Sequence, residues 1–131
     1  MQTQPLFTEA DVISMYTRSQ AIEDGEQVKL EGEQAAMARQ LYKYPVYLTN
    51  SVWTLVEKAV ANKKHHNDLN GVLWDILWMS TRYRPDGDTT WFRVTITGTG
   101  RKRLFTMIAK VGPTDYNDPS PAITIMLPED R

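Results

Sequence analysis

The sequence predicts an α+β fold, with N-terminal helices packed on one face of a small C-terminal antiparallel β-meander. Three observations predict it. Up to residue 83, apolar residues recur at helical spacing between capping signals. From residue 90 the period drops to two. Three alternating segments then follow, joined by one tight turn and one moderate loop, as an antiparallel meander requires. Each segment has one apolar side, so the sheet needs cover on that side only. A chain of 131 residues suits a single domain, here 1–131, with a helical half over 8–83 and a three-stranded sheet over 90–127.

The elements follow in order. Thr8 can cap a short helix from Glu9, with Val12, Ile13 and Tyr16 as its buried side. In "TRSQAIEDG", Thr17 and Gln20 have capping-box spacing and Gly25 is a C-terminal stop, which predicts a second short helix or a break near Thr17. Val28 and Leu30 alternate with polar neighbours in a short extended piece. Residues 33–42 are rich in helix formers. "YPVYLT" is a short strand or extended connector, because Tyr44 precedes a proline. Thr49 or Asn50 caps a helix over 51–63 with Val52, Leu55, Val56, Ala59 and Val60 on its apolar face and Trp53 beside it. "NKKHHND" is a polar break, and Asp68 caps a helix over 69–83. "RPDGD" turns the chain. Phe92, Val94 and Ile96 alternate with Trp91, Arg93 and Thr95. "GTGRKR" is a hairpin connection, and Phe105, Met107, Ala109 and Val111 share a side. "GPTDYNDPSP" is a ten-residue loop with three prolines, and Ile123, Ile125 and Leu127 line the last strand.

Composition narrows the function classes. There is no cysteine, so disulfides, thiolate metal sites and cysteine nucleophiles are excluded. The start "MQTQPLFTEADV" has neither the basic nor the apolar region of a signal peptide, and no apolar run reaches the length of a membrane helix. The expectation is a cytoplasmic protein with no membrane partner. The net charge of −1 gives no global pull towards nucleic acid. The charge is uneven, however. Residues 1–34 carry seven acids and two bases, whereas residues 82–110 carry seven bases and two acids.

The helix over 69–83 is apolar nearly all round. Val72, Leu73, Ile76, Leu77 and Ser80 form one stripe, and Trp74, Trp78 and Arg82 form another, displaced from it. Two readings stay open: a central helix enclosed on every side, or one whose indoles project as a contact surface, since aromatic anchors dominate interfaces. Arg101, Lys102 and Arg103 in the hairpin, with Arg93 and Lys110 on the strands and Trp91 nearby, form a candidate patch for nucleic acid or an acidic protein surface. Solvated charges that keep a hairpin soluble explain the same residues. The binding candidates are therefore Trp74, Trp78, Arg93, Arg101, Lys102 and Arg103. His65 and His66 lack a third ligand at diagnostic spacing, with Asp68 the one neighbouring acid. "YTRSQAIEDG" sets Arg18 and acids near a helix start, where a phosphate or nucleotide could sit, but capping and surface pairing explain the same residues. No phosphate loop, nucleophile elbow, zinc spacing or dinucleotide fingerprint occurs. No catalytic, metal or cofactor residue is assigned, and no cofactor is expected.

The blocks "YTRSQAIEDG", "KYPVYLTNSVW", "LWDILWM", "FRVTI" and "ITIMLPED" together resemble a family of small proteins of unknown function encoded largely on bacterial plasmids, integrative elements and phages. The resemblance spans about Ile13 to Asp130. It implies a mobile-element setting and brings no site residues. The opening aromatic–Thr/Arg stretch, followed by a helix and glycine, is also similar to small ADP-ribosyltransferases, but the strand opening and the late catalytic glutamate of that group are missing. The expected function is that of a non-enzymatic interaction protein that inhibits or modulates a host complex, for example a defence complex. A nucleic-acid-binding accessory protein is the first alternative and a small transferase-type enzyme the second.

Overall fold

The computed structural model describes residues 17–131; the helix expected from Glu9 lies outside the described residues. The elements are α1 (Arg18–Glu23), β1 (Gln27–Lys29), α2 (Gly32–Ala38), β2 (Val46–Thr49), α3 (Asn50–Ala61), α4 (Leu69–Arg82), β3 (Thr89–Thr95), β4 (Leu104–Asp115) and β5 (Asp118–Met126), with 3-10 turns at Lys63–His65 and Pro128–Asp130. The α+β class is as expected.

The sheet is larger than a three-stranded meander. It has five strands in the order β1-β2-β5-β4-β3. The expected meander is present, because β3 pairs antiparallel with β4 and β4 antiparallel with β5. The helical half adds two strands, however. β2 lies parallel to β5, with Val46 opposite Ile123 and Leu48 opposite Ile125, and β1 closes that side antiparallel to β2. The expected division into a helical half and a stranded half is corrected accordingly. β2 is a real strand because all of Val46, Tyr47 and Leu48 are buried, the apolar run of a strand covered on both faces.

The ten-residue loop is also a correction. β4 and β5 continue through it as a two-stranded ribbon that turns at Tyr116–Asn117, with Asp115 opposite Asp118. Pro113 sits opposite Pro121. That part of the ribbon reaches past β3, whose pairing stops at Lys110, and past β2, whose pairing starts at Ile123. A proline's missing N–H costs nothing where no third strand waits for it.

One face of the sheet packs on the helices. Val46, Leu48, Phe92, Val94, Phe105, Met107, Ala109, Ile123 and Ile125 meet Val52, Val56 and Ala59 of α3 and Val72, Leu73, Ile76 and Leu77 of α4. Leu55, Val60 and Trp53 of α3 are only partly buried against this core. The opposite face carries Tyr47, Thr124, Ile108 and Trp91, and the start of α1 reaches over it. The Arg18 guanidinium lies 4.0 Å above the Tyr47 ring and donates to Thr124 Oγ1 and Gln27 Oε1, each at 2.9 Å.

Candidate functional site

α4 starts where the sequence places it. Asp68 is extended (φ −113°) and its carboxylate accepts from the Gly71 N–H at 3.3 Å. Gly71 permits that cap, since a Cβ there would come within 2.6 Å of Asp68 Oδ1. The first stripe of α4 is enclosed: Val72, Leu73, Ile76, Leu77 and Ser80 are all buried. Ser80 satisfies its hydroxyl by donating to the Leu77 carbonyl at 2.6 Å, and it shares a 2.7 Å hydrogen bond with Tyr42 Oη.

The second stripe stands outside the core. Trp74 is half-buried and Trp78 is 40% exposed. Their rings stack with centroids 6.1 Å apart and planes 17° apart, the meeting that i,i+4 spacing allows. One turn on, the Arg82 guanidinium lies 4.2 Å above the Trp78 ring. The result is a three-layer ladder of indole, indole and guanidinium along one helix face. Asp75 sits beside it. Desolvation by its apolar neighbours, and then the charge of Asp68, hold its carboxyl above the usual range.

Between α4 and β3 runs an open groove of about 310 Å³ lined by Asp75, Trp78, Met79, Tyr83, Arg93, Val94, Thr95 and Leu104. Leu104, at the start of β4, is 50% exposed. β3 is an outermost strand of the sheet. The groove therefore combines an aromatic wall, an apolar floor, a cation and a sheet edge.

Of the residues singled out in the sequence, Trp78 and Arg93 come together in this groove. Trp74 lines a neighbouring hollow with His66, Asp68 and Asp75. Arg101, Lys102 and Arg103 are exposed in the β3–β4 connection and do not line the groove; Lys102 Nζ lies 5.1 Å over the Phe105 ring. Trp91, Arg93 and Lys110 do share the outer sheet face, as expected, and the Arg131 guanidinium lies 5.4 Å over Trp91. Sequence reasoning missed Met79, Tyr83 and Leu104. Only Leu104 left a signal, an apolar residue directly after three bases.

Other candidates resolve differently. His65 and His66 are exposed, and His66 holds a left-handed conformation (φ +51°) that turns the chain into α4. Among the described residues, no three His, Asp or Glu side chains gather closely enough to hold a metal. The helix start that could have taken a phosphate already holds an anion of this chain. Asp115 accepts from the backbone N–H of Arg18 (3.1 Å) and Ser19 (3.0 Å) and from Ser19 Oγ (2.6 Å). Thr17 Oγ1 accepts from Gln20 N, and the Gln20 side chain returns to Thr17 N. Every orphan donor of the first turn of α1 is thus used. The Ser19 hydroxyl, with the backbone N–H groups of Tyr116, Ser19 and Arg18, holds the Asp115 carboxyl below the usual range.

The model of a family of unknown function (DUF6573) matches residues 3–131. The chain belongs to this family. No curated protein and no solved structure matches it. Among the described residues, no helix is long and apolar enough to cross a membrane. Membership in DUF6573 assigns no activity, so the functional reading rests on the geometry.

Proposed function

We propose that this protein is a non-enzymatic interaction protein of a mobile genetic element or phage. On this reading it acts in the bacterial cytoplasm by stoichiometric binding to a host protein complex, such as a defence complex. The observation that carries the reading is the Trp74–Trp78–Arg82 ladder, held outside the core beside an open groove. Tryptophan and arginine are the residues most enriched at interface hot spots. Stacked side chains have already lost much of the freedom that binding would remove. The resemblance of the sequence blocks to proteins of plasmids, integrative elements and phages supports the setting.

The test is retention of a bacterial complex from lysate by the tagged chain, compared with Trp78→Ala and Arg82→Ala. The reading expects one complex, retained at fixed stoichiometry by the wild-type chain and lost with either variant. Multiple turnover of a small molecule by the purified protein, unaffected by these substitutions, would overturn it.

A second reading is favoured by a separate observation. Trp91, Arg93 and Lys110 lie on one sheet face and are each exposed among the described residues, with Arg101, Lys102 and Arg103 exposed at the end of β3. Basic side chains beside an aromatic on such a face suit single-stranded nucleic acid. A salt-dependent shift of an oligonucleotide, lost with Arg101→Ala and Lys102→Ala together, is its expected signature.

A further inference from the structure

We propose that the edge of β3, with which no further strand pairs among the described residues, takes an extended, acidic peptide segment of the partner as an added strand of the sheet. This rests on the interaction reading above and specifies how that surface is used. The hydrogen-bonding pattern of β3 supports it. Ile96 N–H donates to the Arg103 carbonyl at 2.8 Å, and Val111 N–H to the Asp88 carbonyl at 2.8 Å. In an antiparallel ladder the direction alternates residue by residue. The even-numbered residues of β3 therefore bond to β4, and Thr89, Trp91, Arg93 and Thr95 turn their N–H and C=O groups outward. Thr89 is already paired, because it exchanges two hydrogen bonds with Asp86 at 3.2 and 2.7 Å. Among the described residues, Trp91, Arg93 and Thr95 remain as an outward row along the outer strand, the template that strand addition uses.

Side chains around the edge set the chemistry of the occupant. On the helix side, an added strand would lay alternate residues over Trp78 and Met79, which calls for apolar ones. On the outer face its other residues would sit opposite Trp91, Arg93 and Thr95. Arg93 and Lys110 are the bases that the register puts on that face, so acidic residues suit that side. Asp75, the one acid lining the groove, lies on the helix side, where it disfavours acids and leaves the alternation intact. A second copy of the chain fits poorly. Antiparallel pairing of the two outward rows about their centre would set Arg93 directly against Arg93, and like charges opposite each other destabilise a sheet.

The probe is a displayed library of random seven-residue peptides panned against the whole chain, with one enriched peptide then synthesised. Acidic and apolar residues in alternation should be enriched. Saturation with that peptide should slow hydrogen exchange at the Arg93 and Thr95 amides. Thr95→Pro removes an outward N–H and leaves the β4 ladder intact; it should weaken binding at least about tenfold, whereas Thr95→Val should stay within about twofold. Arg93→Glu keeps every backbone group and should also weaken binding about tenfold, so the proposal stays testable if Thr95→Pro misfolds. If Trp78→Ala abolishes peptide binding while Thr95→Pro leaves it unchanged, strand addition fails and the interaction surface stands. If no peptide is enriched, strand addition fails, and retention of a host complex by the ladder is judged separately. Protection of the same amides by self-association, or by an oligothymidylate insensitive to Thr95→Pro, also overturns the proposal.

Discussion

Replacing Arg18 by alanine should cost the fold about 3 kcal/mol. The estimate follows from what the guanidinium touches. Nη1 donates to Gln27 Oε1 and Thr124 Oγ1 at 2.9 Å each, and Nε donates to the Thr114 carbonyl. Three well-formed bonds of this kind contribute about 1 kcal/mol each. The contact to Pro113 O, at 3.4 Å, adds little. The stack over Tyr47 at 4.0 Å contributes about 1 kcal/mol for a half-buried cation. Against these stands the desolvation of the guanidinium. That is the largest influence on Arg18, lowering its pKa from the usual value, with Tyr47 and Asp115 opposing it; because the group is only half-buried and screened by solvent, the loss is held to about 1 kcal/mol. Urea unfolding followed by circular dichroism reads the result. With a slope of about 2 kcal/mol per molar, the midpoint should fall by about 1.5 M. Arg18→Lys should lose most of this as well, since an ammonium cannot reach three separate acceptors while lying flat on the ring. A loss below about 1 kcal/mol for Arg18→Ala would refute the reasoning and reduce Arg18 to a surface cation.

Three further outcomes follow from neighbouring features. Leu77→Ala, at a fully buried position, should cost about 2–5 kcal/mol, whereas Trp78→Ala beside it should cost under about 1 kcal/mol, as thermal unfolding of the two variants will show. Asp115→Asn should lower stability at neutral pH. The carboxyl of Asp115 is depressed, so its stabilisation is complete above the ordinary carboxylate range and is lost as pH falls through its own lower value; the urea midpoints of wild type and variant should converge in that acidic window. Asp75→Asn should have the opposite sign, because a raised carboxyl makes the ionised form costly. The variant should be more stable at pH 7 by under about 0.5 kcal/mol, with the gain vanishing as pH falls below about 4.

Local signals were readable wherever cause and effect lie within a few residues. The Thr17–Gln20 capping box, Gly25 with its positive φ of 78°, the Asp68 cap and both stripes of α4 all occur as their spacing predicts. Helix ends were less legible: α2 stops at Ala38, short of the helix formers that continue to residue 42. Partnerships across the chain were not legible at all. Nothing near Ser19 announces that Asp115, 96 residues away, caps its helix. Nothing in "YPVYLT" says that its partner is the strand at Ile123. The prolines of the β4–β5 ribbon misled for a physical reason, since proline signals a loop except where the strands run on beyond their neighbours. At the candidate site, the indoles could be found from spacing, but whether they are covered depends on where β3 lies. The cation–aromatic ladder was half legible, because Arg82 falls at the next helical repeat, while Tyr83 and Leu104 join the groove only through the fold.

The parallel pairing of β2 with β5 has a consequence for how the molecule is made. The strand that joins the two halves of the sheet, residues 118–126, is the last of the five to emerge from a ribosome. Until it arrives, β1 with β2 and β3 with β4 can exist only as isolated ribbons, each marginal in water by itself. Val46 must wait for Ile123, so the decisive loop closure is long and slow. Nascent chains stalled before residue 118 should therefore be protease-sensitive along their whole length, and resistance should appear in one step once Met126 has cleared the exit tunnel.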